Sequence, residues 1–86
     1  LLFSTLLFSQ SIIKDKYLQI IAKDMITQNG IITAKGDILV YSKNYYITAN
    51  KLKYDKPNGF LELFGDVNII KSNNTSNYTQ YLKIDL

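Results

Sequence analysis

Ile31-Ile32-Thr33-Ala34-Lys35-Gly36-Asp37-Ile38-Leu39-Val40-Tyr41 decides the fold of this 86-residue chain. Its even positions Ile32, Ala34, Ile38 and Val40 are apolar, the period of two that marks a β-strand with one buried face. Its central Gly36-Asp37-Ile38 returns 29 residues later as Gly65-Asp66-Val67. A second pattern, Ile20-Ile21-Ala22-Lys23-Asp24-Met25, returns 27 residues later as Ile47-Thr48-Ala49-Asn50-Lys51-Leu52. The chain is therefore read as two copies of one β-unit. Repeats at a period of about 20–50 residues mark units that bury their apolar faces by stacking.

Outward from that stretch, the alternation runs through Leu18, Ile20, Ala22, Met25 and Thr27, and resumes at Ile47, Ala49, Leu52 and Tyr54. It continues at Leu61, Leu63, Val67 and Ile69. Turn signals separate the runs at Asn29-Gly30, Ser42-Lys43-Asn44 and Lys56-Pro57-Asn58-Gly59. Asn-Gly between alternating segments is the strongest short hairpin signal, because both turn positions require positive φ. Counting outward from the turns gives three registers: Met25 opposite Ala34, Ile38 opposite Ala49, and Leu52 opposite Leu63. In each hairpin, like faces meet, as one buried side demands.

The inward set changes parity between Ala22 and Met25, and again between Ala49 and Leu52. An extra residue there is a bulge, and bulges bend strands. In this counting Gly36 falls across from Lys51, where a glycine also marks a bend. The expected shape is an all-β, V-shaped partial jelly roll of antiparallel hairpins with open edges and an apolar crease.

One domain is all this length allows, and a chain so short is marginal in stability by itself. It lacks cysteine, histidine and tryptophan. Its net charge of +3 comes from ten lysines and no arginine. The lysines do not cluster along the sequence, which reads as a solvated sheet face rather than a phosphate-binding patch. Residues 1–10 open with LLFSTLLFS, an apolar run resembling the end of a secretory signal peptide. The domain is then expected over 11–86, with the polar stretch Lys71 to Tyr81 as a loop before a last strand near Tyr81 to Leu86. The chain stops within what reads as a third copy, so the repeat array is expected to be truncated.

Catalysis finds little support. Without His or Cys there is no imidazole base, thiolate nucleophile or usual transition-metal ligand set, so no metal site and no cofactor is expected. Asp37 and Asp66 follow bend glycines, which suits a turn-stabilising role better than paired acid/base work. Tyr41, Tyr45, Tyr46 and Tyr54 with interspersed lysines resemble the surface of a single-stranded nucleic-acid binder. A cross-strand tyrosine pair needs no ligand, however, and nucleic acid is not the expected partner. Function is expected on the inward face: Ile20, Ala22, Ile32, Ala34, Ile38, Val40, Ile47, Ala49, Leu52, Leu61, Leu63, Val67 and Ile69. Small residues among them suggest an open crease whose apolar lining stays wet unless an acyl chain fills it.

Ile47-Thr48-Ala49-Asn50-Lys51-Leu52-Lys53-Tyr54-Asp55, then Gly59, then Leu63-Phe64-Gly65-Asp66-Val67 resembles the OstA repeat of the lipopolysaccharide-transport proteins. That motif runs Ala-Asp-x-aliphatic-x-Tyr-Asp, a turn with Gly, then a short apolar strand with Gly-Asn/Asp-Val. The first copy, Ala22 to Val40, fits less closely, with Thr27 where Tyr54 stands. The resemblance spans Leu18 to Ile70. It implies a non-enzymatic periplasmic jelly roll of a Gram-negative bacterium that stacks edge to edge with like domains. It further implies that lipopolysaccharide, through its lipid A acyl chains, passes along the trough toward the outer membrane. The membrane barrel expected of one branch of the family is not in this sequence, which would make the chain an N-terminal fragment. The competing expectation is a structural β-solenoid, as in an adhesin, where the same faces only pack on each other.

Overall fold

The computed structural model describes residues 11–14, 18–73 and 75–86. The leader-like residues 1–10, together with Asp15 and Tyr17, lie outside the described residues. The protein is all-β. Its strands are β1 (Ser11–Lys14), β2 (Leu18–Ala22), β3 (Asp24–Gln28), β4 (Ile31–Ser42), β5 (Tyr45–Asp55), β6 (Phe60–Lys71) and β7 (Ser76–Asp85). They form one open antiparallel sheet in the order β1-β2-β4-β5-β6-β7, with β3 also paired to β4. Strands β2 and β3 share β4 as partner: β2 covers its C-terminal half and β3 its N-terminal half.

All three expected hairpin registers are present. Met25 faces Ala34, Ile38 faces Ala49, and Leu52 faces Leu63. Asn29 and Gly30 both adopt positive φ (55° and 80°), the geometry whose twist suits a two-residue hairpin loop. The turn after β5 is held by Asp55, the one buried charged residue among those described. Its carboxylate accepts the Asn58 backbone N–H at 3.1 Å and the Asn58 side-chain amide at 3.0 Å, while its carbonyl accepts Gly59 N–H at 2.8 Å. These bonds offset the desolvation of a buried carboxylate.

The bulge lies at the expected level but differs from the expected register. Lys35, not Gly36, stands across from Lys51. Gly36 and Asp37 together fill the space opposite the single residue Asn50, both with positive φ (83° and 47°). The extra residue therefore sits on the Gly-Asp strand rather than on the strand where the parity changes. The second copy repeats the geometry: Gly65 and Asp66 have φ of 79° and 48° and face Asn50 on one side and Gln80 on the other. Lys23 completes the line, its N–H donating to the Gly36 carbonyl at 3.0 Å. Lys23, Gly36-Asp37, Asn50, Gly65-Asp66 and Gln80 thus cross the sheet at one level, and each long strand has its irregularity there.

Two edge elements were not legible as strands. Ser11–Lys14 pairs with β2, and Ser76–Gln80, expected within a loop, pairs with the end of β6 as part of β7. Thr27, expected inward with its neighbours, is exposed because β3 is an edge strand at the open rim.

Candidate functional site

The inward face is one apolar cluster. Twelve of the thirteen expected residues are buried: Ile20, Ala22, Ile32, Ala34, Ile38, Val40, Ile47, Ala49, Leu52, Leu61, Leu63 and Val67. Ile69 is partly buried against them, and Leu18 and Tyr54 complete the buried set. The bulge line does not break this face. On either side of Gly36-Asp37, Ala34 and Ile38 both remain buried, because a two-residue bulge restores the strand's inward parity.

The crease is closed, in contrast to the expectation that its small residues would leave it open. Ile20, Val40, Leu61, Leu63 and Val67 are 0% exposed. The physical reason lies in neighbours rather than in the alanines: Ala34 sits beside Leu52, and Ala49 beside Ile38. The larger side chain of each pair fills the volume that the smaller one leaves. The apolar face nevertheless runs out to the sheet edges. Ile13 on β1 and Met25 on β3 pack against the cluster at one edge, and Leu82 and Ile84 on β7 at the other. The face turns polar at the β7 rim beside the C-terminal half of β6, where Thr79 faces Val67 and Asn77 faces Ile69, and at the β3 rim at Thr27, opposite Ile32.

Asp37 and Asp66 do not converge. Asp37 pairs with Lys23 at 3.3 Å in an exposed ion pair. Asp66 is engaged by Gln80, whose Oε1 accepts the Asp66 N–H at 3.2 Å and whose Nε2 donates to Oδ1 at 3.4 Å. Asn50 donates to the other carboxylate oxygen at 3.5 Å. These contacts stitch each bulge to the adjacent strand. Among the described residues no three acidic side chains approach closely enough to hold a metal ion.

On the outer face, Tyr41 and Tyr46 stand opposite each other with ring centroids 6.1 Å apart and planes tilted by 48°. Phe64 and Tyr81 form a second such pair at 5.4 Å. Aromatic pairs at these distances stabilise each other without a ligand. The Tyr81 hydroxyl donates to Glu62, and this bond, with burial and the Glu62 charge, raises its pKa above 10.0. Since the folded value is the higher one, this contribution to stability is present below the ordinary tyrosine pKa and is lost as pH rises through the raised value. A spectrophotometric titration should show Tyr81 ionising above the ordinary tyrosine value, and Glu62→Gln should lower its midpoint. An unchanged titration in that variant would remove the bond from the account.

Three of the ten lysines, separated in sequence, come together in space. Lys35 and Lys51 are directly opposed on β4 and β5, and Lys53 lies two residues from Lys51 on the same outward face. No family model, curated protein or solved structure matches the chain.

Proposed function

We propose that the protein is a non-enzymatic lipid-transfer module of the lipopolysaccharide-transport type. The reading that fits it best is the N-terminal periplasmic domain of the LPS-assembly protein LptD, with the bridge protein LptA close behind. The observation that carries it is an apolar inward cluster that reaches both free edges of the sheet, at Ile13 and Met25 and at Leu82 and Ile84. In this proposal the bulge line folds the sheet over into a partial jelly roll, with the buried cluster as its crease. A β-protein that works alone protects its edges with charge, bulges or cover. Here an apolar face meets open backbone edges, which suits a domain continued by another of its kind in the periplasm. Lipid A acyl chains entering between the separated edges would replace side-chain contacts with chain contacts of similar energy, about 0.8 kcal/mol per CH₂. Movement along such a face is inexpensive, as transit requires.

Leu82→Asp tests this reading at the rim, because Leu82 is only partly buried and its replacement leaves the central cluster intact. Lipopolysaccharide binding is expected to fall at least about tenfold, an effect of about 1.4 kcal/mol. The outward Lys83→Glu should change it less than about twofold. Equal losses in the two variants would contradict an apolar route. A second reading, a structural β-solenoid, draws on the closure of the core. It predicts that neither variant binds lipopolysaccharide differently from the parent, because the parent does not bind it.

A further inference from the structure

The outward face beside the bulge line carries an arrangement that neither the sheet nor the proposed lipid route uses. Lys35 and Lys51 are directly opposed neighbours on β4 and β5. Like charges placed opposite each other in an antiparallel pair, with Cβ atoms about 4.5–5.5 Å apart, repel and destabilise the pair. Lys53 lies on the same side of β5, about 7 Å along the strand. Among the described residues, none of these three lysines forms an ion pair. Asp24 faces Lys35 from β3 and Glu62 faces Lys53 from β6, which leaves a local excess of one at the opposed Lys35–Lys51 pair.

The same lysines border a cavity of about 340 Å³ whose other walls include Ile26 and Phe64. Ile26 is 63% exposed and Phe64 37%, so apolar surface lies open within reach of three ammonium groups. The volume falls at the small end of the range for ligand pockets, about 300–1,000 Å³. A polar anion alone would satisfy the lysines and leave Phe64 wet. A neutral hydrocarbon would cover Phe64 and leave the lysine repulsion in place. Only a molecule with both parts answers both features.

We propose that this face binds a single-chain anionic amphiphile, its carboxylate or phosphate head held between Lys35 and Lys51 with Lys53 beside them, and its alkyl chain laid over Phe64, which faces Lys51 from β6. The head group converts the Lys35–Lys51 repulsion into charge-assisted hydrogen bonds. The site faces away from the buried cluster and stands whether or not that cluster carries lipid.

Decyl phosphate below its micelle concentration is the probe, followed by calorimetry and by backbone amide shifts in the full chain. It should bind one to one and at least about tenfold more tightly than either inorganic phosphate or decyl maltoside. Lys51→Gln should weaken it about tenfold, whereas Lys83→Gln, a lysine stacked over Phe60 elsewhere on the outer face, should change it less than about twofold. Without ligand, Lys51→Gln should unfold at a higher urea concentration than the parent, because one member of a repelling pair is gone. Binding that survives Lys51→Gln, equal affinity for decyl maltoside, or equal affinity for inorganic phosphate would each overturn the proposal. So would amide shifts confined to inward residues such as Leu61 and Leu63, which would place the ligand in the crease and favour the transfer reading instead.

Discussion

Leu63→Ala is expected to lower the stability of the fold by about 2–5 kcal/mol, read as a fall in the urea midpoint. Leu63 is fully buried, faces Leu52 on β5 and Leu82 on β7, and occupies the middle of the inward face. Truncation removes its transfer energy and leaves a cavity that paired strands on both sides cannot collapse to fill. Small domains have stabilities near the lower end of about 5–15 kcal/mol, so the variant should lie close to its unfolding threshold. The number also distinguishes two states of the crease. In a solvent-filled trough the same truncation would delete surface already in contact with water, at a cost below about 1 kcal/mol. Leu82→Ala, at the half-buried rim, should cost less than Leu63→Ala. A loss under about 1 kcal/mol at Leu63 would mean that the crease is not packed as described.

Gly65→Ala should cost about 1–3 kcal/mol through two separable causes. Its φ of 79° is strained for any residue with a Cβ, and that Cβ would lie 2.9 Å from the Asn50 side-chain amide. In an Asn50→Gly background the steric part disappears and the backbone part stays. Gly65→Ala should then cost measurably less than it does beside Asn50, without becoming neutral. Equal costs in the two backgrounds would show that Asn50 does not close on the bulge. The bulge matters to more than local geometry, because a two-residue insertion facing one residue preserves the inward parity from Leu63 to Val67. Without the one residue by which Gly65-Asp66 exceeds Gln80, one half of β6 would turn its apolar side to solvent.

The hairpins were legible because turn chemistry and alternation act locally and agree: Asn29-Gly30 alone sets Met25 against Ala34. The bulge line was legible in position but not in register. Counting residues assigns one place to each, whereas Gly36 and Asp37 share the space opposite Asn50 by adopting left-handed backbone together. Strand β1 and the start of β7 escaped because edge strands bury little, so Ser76–Gln80 carries no apolar alternation to read. Membership of the inward face followed from parity alone. Its closure did not, because filling is a matter of volumes summed across strands, and Ala34 says nothing of the Leu52 beside it. The lysine group was hidden for the same reason. Lys35 and Lys51 are far apart in sequence and meet only once the shifted register is known.

Lipid transfer requires that the apolar face of this sheet receive acyl chains. Ala34 and Ile47 are too deeply buried to report it without disrupting the core, but Ile69 and Met25 lie at its margin, packed against the cluster and partly exposed. A photo-crosslinking residue at each, irradiated in the presence of lipopolysaccharide, is the direct measurement. Labelling at both margins and its loss in Leu82→Asp is the predicted result; crosslinks that join only residues of the same chain, with lipopolysaccharide left unlabelled, would contradict the transfer route.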